Sequence, residues 1–221
     1  MAFDGFGPRA LRFFDELAAN NNREWWQANK AWYEADVRAP LEHLLADLAD
    51  EFGEAKVFRP YRDTRFSADK TPYKTAAAAV IGETPGGVST LYVHLSSEGL
   101  LTGGGCYHPM KDQLARLREA IAEDDTGTEL EKIVADLDQA GGRVEAHEKL
   151  KTAPRGYSAD HPRIDLLRQK GLVGMMDHPP ADWLYSAQAK ERVAADWRSL
   201  GPLNTWLERN VGPSELPMPT R

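Results

Sequence analysis

Five cations crowd one stretch of this chain: Arg59, Arg62, Arg65, Lys70 and Lys74 lie between Arg59 and Lys74, with only Asp63 and Asp69 to balance them. That net of +3 stands in a 221-residue chain whose formal charge is −7. Guanidinium forks match carboxylate and phosphate oxygens, so either internal acids hold these arginines or an external anion does. Both readings stay open on the sequence. In the ligand reading Arg62, Arg65, Lys70 and Lys74 bind the anion, Tyr73 orients it and Asp63 moves a proton.

Other residues bear on the same chemistry. Gly103-Gly104-Gly105 reads as a turn that feeds a helix near Pro109, and such a turn offers backbone N–H groups to an oxyanion. Gly104 and Gly105 are therefore candidate anion contacts, and Tyr107 a candidate orienting group. The block lacks the Lys-Ser/Thr of a P-loop and the spacing of a dinucleotide fingerprint. Arg155 is a further candidate ligand contact, and it and Tyr157 sit on a loop at Gly156, where functional groups often lie. Asp160 and His161 are the remaining acid/base candidates, though Asp160 serves equally well as the cap of a helix through Gln169. The one cysteine, Cys106, would feel the following helix dipole, yet a lone cysteine is usually a small packed residue. No histidine pair falls at metal-ligand spacing, so neither a metal nor a cofactor is expected.

Helical periodicity predicts a first helix from Pro8 to about Ala19, with Leu11, Phe14, Leu17 and Ala18 as its stripe. Asn21 with Glu24 reads as a capping box for a second helix, broken or kinked around Ala39-Pro40, and a third runs to Gly53. The spacing of Trp25, Trp32 and Tyr33 places Trp25 in the core and leaves Trp26 open. Strands are expected at Val57–Arg62, with Pro60 at an edge or bulge, and at Thr75–Ile81, Val88–Ser96 and Leu100–Thr102, paired antiparallel. A helix from Pro109 to Glu123 follows. Another over Glu129–Leu137 is capped by Thr128, strands are possible at Arg143–His147 and Leu172–Met176, and the last helix is interrupted at Gly201-Pro202. The fold class is α+β: one domain over residues 1–211, an antiparallel sheet packed against several helices, and a Pro-rich tail over 212–221.

Composition narrows the function classes. Hydrophobic content of 42% and charged content of 28% are those of an ordinary globular protein. No apolar run reaches the length of a membrane span, and no basic region followed by an apolar one marks a secretion signal, so a cytoplasmic protein is expected. The acids concentrate between Glu119 and Asp138, with eight against the single base Lys132. With a pI near 5.4 the chain is not a general duplex-DNA binder.

Four ordered blocks carry a resemblance. Asn21-Asn22-Arg23-Glu24-Trp25-Trp26 with Asn29-Lys30 and Tyr33 comes first, then Arg62-Asp63-Thr64-Arg65-Phe66 with Asp69-Lys70 and Pro72-Tyr73-Lys74. Gly103-Gly104-Gly105 with Tyr107 and Pro109 is the third, and Leu150-Lys151, Pro154-Arg155-Gly156-Tyr157 and Asp160-His161-Pro162 form the fourth. Over most of its length, roughly Phe6 to Leu172, the chain resembles the domain-of-unknown-function family 2461. It departs at Trp26, where the family pattern leads one to expect Phe, and at Pro60, where an aliphatic residue is expected. The resemblance implies positions and no chemistry. The reading that joins them is a small anionic, phosphorylated ligand in an Arg/Lys/Tyr-lined pocket, handled by a metal-independent hydrolase or transferase. The alternative is a non-catalytic module for single-stranded nucleic-acid ends or a protein partner, which an exposed Trp26 beside Arg23 and Arg65 would favour.

Overall fold

The computed structural model describes residues 2–65 and 68–217; Phe66 and Ser67 of the cationic segment and residues 218–221 of the tail lie outside the described residues. The chain forms two compact units, one of Met1–Ile81, Tyr92–Thr102 and Asp177–Ala195, the other of Gly82–Leu91, Gly103–Met176 and Asp196–Arg221. Among the described residues six strands order as β1 (Ala55–Val57), β2 (Ala76–Ile81), β3 (Thr90–Ser96), β4 (Gly99–Cys106), β6 (Leu172–His178) and β5 (Arg143–Glu145) in one antiparallel sheet, the α+β class expected.

In the first unit α1 (Pro8–Ala19) starts on its proline and buries Leu11, Phe13, Phe14 and Leu17. The helix α2 (Arg23–Tyr33) is capped by Asn22, whose side chain accepts the Trp25 N–H at 3.0 Å, and not by Asn21. No break occurs at Pro40. A π-helical turn, Glu34–Arg38, leads directly into α3 (Ala39–Phe52). In a regular α-helix the Pro40 ring would press on the carbonyl four residues back, and its missing N–H would orphan that carbonyl; the wider turn relieves both. Phe13 sits among Trp25, Trp26, Trp32 and Tyr33, with ring centroids 5.3–5.9 Å away. It is Trp26, 1% exposed, that is buried, while Trp25 is half-buried. The correction has a packing cause: Trp26 lies flat on Tyr73, centroids 4.3 Å apart and planes 10° apart, so a hairpin distant in sequence covers it.

In the second unit the glycine block is strand and not turn. Gly103, Gly104 and Gly105 belong to β4 and are buried. A Cβ on Gly105, whose φ is +136°, would run into the Leu172 carbonyl of β6, and one on Gly104 would stand 3.2 Å from side-chain carbons of Leu91 and Leu200. Glycine is there for close approach of neighbouring elements. The helix α4 (Lys111–Ala122) follows, then α5 (Asp124–Gln139), which starts before the Thr128 expected to cap it. The short α6 (Ile164–Leu167) has Arg163 at its N-cap position, so Asp160 does not cap it. The last helix, α7 (Gln188–Asn210), runs through Gly201-Pro202 without interruption. The described part of the tail is held: Ser214 donates its N–H to the Gly86 carbonyl and its hydroxyl to Asp112, each at 2.8 Å.

Candidate functional site

The cationic segment is the tip of a hairpin in the first unit. Beyond β1 and β2 the two strands stay paired through Phe58 N–H to the Ala78 carbonyl, Lys74 N–H to that of Pro60, and Arg62 N–H to that of Pro72, at 2.8–2.9 Å. Val57 faces Ala79 but Tyr61 faces Tyr73, so four residues of one strand span six of the other. The slip falls between Phe58 and Pro60, on the edge strand where the sequence placed Pro60. Asn21 clamps the returning strand. Its amide donates to the Tyr73 carbonyl at 2.9 Å and accepts the Tyr73 N–H at 3.1 Å, standing in for a strand partner.

Each candidate in this unit then has a definite place. Arg62 pairs with Asp69 and reaches the Tyr73 carbonyl at 3.5 Å, while its Nε is buried without an acceptor. Asp69 also accepts the N–H and hydroxyl of Thr71, and these bonds hold its carboxyl below the usual range. Arg65 forks onto Asp63 at 3.0 and 2.7 Å, and hydrogen bonds from Arg65 take the Asp63 carboxyl down to about 2. Lys70 donates to the Thr64 carbonyl at 2.8 Å. Both acids of the segment are therefore engaged by arginines, as a structural network requires.

Lys74 and Arg59 are not engaged in that way. Lys74 Nζ stands 5.2 Å from the Phe58 ring centroid, half-buried. Burial first, then the charges of Arg59 and Arg62, lowers its pKa. Among the described residues no carboxylate pairs with Arg59 or Lys74. Tyr73 is buried against Trp26, so it supports the hairpin rather than facing solvent.

The other candidates belong to the second unit. Gly104 and Gly105 are buried strand residues of β4 and do not form the turn before a helix. Tyr107 is 55% exposed and stacks on His147, centroids 5.3 Å and planes 21° apart, with His108 at 4.4 Å. Arg155 and Asp160 are exposed. His161 accepts the Arg163 N–H on Nδ1 at 3.1 Å, which puts the proton of its neutral ring on Nε2. Cys106 closes β4 and is 4% exposed, and burial pushes its thiol up to about 12, opposite to the activation expected at a helix start. A cavity of about 420 Å³ between α5 and α7, lined by Glu129, Lys132, Asp136, Trp206 and Arg209 among others, contains none of the candidates.

Three residues escaped sequence reasoning. Asn21 looked like a cap because its amide suits either role, and Phe58 carried no signal beyond strand propensity. Arg163, 6% exposed, gives its guanidinium to the carbonyls of Ile121, Ala122 and Glu123 and to Asp124 at 2.7–3.3 Å. It ties the α4–α5 junction, a role only the folded chain displays. Among the described residues no group of three His, Cys, Asp or Glu is disposed to hold a metal ion. Neither a curated protein nor a solved structure matches the chain. The model of the conserved hypothetical protein family DUF2461 matches residues 9–206, spanning the Asn21 clamp, the cationic hairpin, the glycine strand and the Arg163 junction, and the chain belongs to that family.

Proposed function

We propose that the chain binds a small anionic, phosphorylated ligand at the tip of this hairpin, through Lys74, Arg59 and Arg62. The observation that carries the reading is Lys74: a half-buried ammonium whose pKa is lowered by burial and by the charges of Arg59 and Arg62, with the Phe58 ring 5.2 Å from it and no carboxylate paired to it among the described residues. Three cations held together at a cost in self-repulsion are the arrangement that a phosphate would relieve. Arg65 and Lys70, braced by Asp63 and the Thr64 carbonyl, form the rim of that site. The reaction class such cations serve is hydrolysis or group transfer, where they stabilise negative charge as it develops. Asp63, held ionised, is the wrong group to carry a proton near neutrality. A strand-end module is the weaker reading, because Trp26 is covered by Tyr73.

Thermal unfolding in graded inorganic phosphate tests the proposal. Phosphate at 100 times its dissociation constant should add about 2.7 kcal/mol of stability. The gain should vanish in Lys74→Ala and Arg59→Ala and persist in Lys30→Ala, a lysine elsewhere in the unit. Stabilisation that survives both hairpin substitutions refutes the site.

A further inference from the structure

The face of the first unit next to Lys74 is built as a shelf. Phe58 lies under the Lys74 ammonium, and its ring meets that of Tyr92 at 6.5 Å between centroids, with a 40° tilt. The Tyr92 hydroxyl stands 3.4 Å from Nδ1 of His94, two residues on along β3, which puts both side chains on the same side of the strand. Phe58 pairs with Ala78, and β2, running between β1 and β3, opens with the alanine run Ala76–Ala79. Bulkier residues on that side of β2 would separate the two rings. Phe58, Tyr92 and His94 are all half-buried; Phe58 already underlies Lys74, while Tyr92 and His94 have no part in the cation site described above.

Resting on the anion reading, we propose that this shelf seats the uncharged part of the same ligand, a flat ring one sugar's length from its phosphate, so that the ligand class is a nucleoside monophosphate. The order of groups carries the assignment. Cations come first at Lys74, Arg59 and Arg62, an aromatic surface follows at Phe58 and Tyr92, and a polar edge ends the row at His94. A phosphate, a pentose and a base present their anionic, spacer and π-faced, hydrogen-bonding parts in that sequence. Aromatic side chains bind any base by its face, and the His94 ring adds a hydrogen-bonding group beside it.

Titration calorimetry of the whole chain with inorganic phosphate, ribose 5-phosphate and adenosine monophosphate separates the two readings. The expected result is adenosine monophosphate bound about tenfold more tightly than ribose 5-phosphate, the worth of one stacked base. Tyr92→Leu should abolish that preference while leaving phosphate affinity in place. Tyr92→Phe, which keeps the ring, should retain it and guards against a variant that merely misfolds. Equal affinity for all three probes overturns the shelf and leaves the anion site standing. Binding of none of them overturns both.

Discussion

At the level of single residues, Lys74 is where charge and burial conflict. Its pKa is lowered, so the folded chain binds fewer protons there than the unfolded chain does. Stability attributable to Lys74 is therefore lowest while the amine is charged and rises with pH between its depressed folded value and the ordinary lysine value. Bound phosphate should reverse the shift, and the Lys74 side-chain NMR titration is expected to move upward when phosphate is added. Asp63 behaves oppositely. With its carboxyl at about 2, its pairing with Arg65 is complete above the ordinary aspartate range and is lost only as pH falls through that low value. The Asp63 carboxyl signal should stay flat from about pH 5 to 8, and any enzymatic pH limb in that range belongs to another group. Cys106, buried and raised to about 12, should ignore an aromatic disulfide reagent in the native state and react once the chain is unfolded. The sequence pointed to the cationic segment itself, since a surplus of arginine in an acidic chain is visible in one dimension. Which of those cations lack acids was not visible, because that depends on the fold pairing Asp69 with Arg62 and Asp63 with Arg65.

Among the elements, the junction of α4 and α5 rests on one side chain. Arg163 donates to the Ile121 and Ala122 carbonyls at the end of α4, and Gly127 leaves the room for it: a Cβ there would strike the Arg163 guanidinium. Arg163→Ala strips those carbonyls of their donor and should cost about 3 kcal/mol in urea unfolding. Gly127→Ala should also destabilise, and the double variant should fall short of the sum, because both act on the same contact. Asn21→Ala releases both backbone groups of Tyr73 and should weaken phosphate binding together with stability. Helices and hairpins were readable because their periods are local. Caps were not: Asn21 against Asn22 and Thr128 against Glu123 differ only in which backbone N–H the fold leaves open. The glycine block failed for a related reason, since glycine marks a turn and a close approach of neighbours with the same letter.

For the molecule as a whole, the acids between Glu119 and Asp138 lie on α4, α5 and their junction in the second unit, while the cationic hairpin lies in the first. Phosphate affinity should fall as sodium chloride rises, since the exposed Arg59 and the half-buried Lys74 are both open to screening. Fluorescence anisotropy with a labelled duplex should show no binding at physiological salt. The α+β class and the antiparallel pairing were legible from strand spacing and short connections. The allotment of candidates was not: Arg62, Tyr73 and Lys74 fall in one unit and Gly104, Tyr107, Arg155 and His161 in the other, and only long-range contacts decide that. Each unit is stitched from three stretches of chain, and of the five seams one falls at the end of β2 after Ile81 and the others inside β3 at Leu91–Tyr92, inside β4 at Thr102–Gly103, inside β6 at Met176–Asp177 and inside α7 at Ala195–Asp196. No single truncation can therefore deliver either unit whole, and a recombination event that inherits the hairpin without the rest of the chain inherits severed strands.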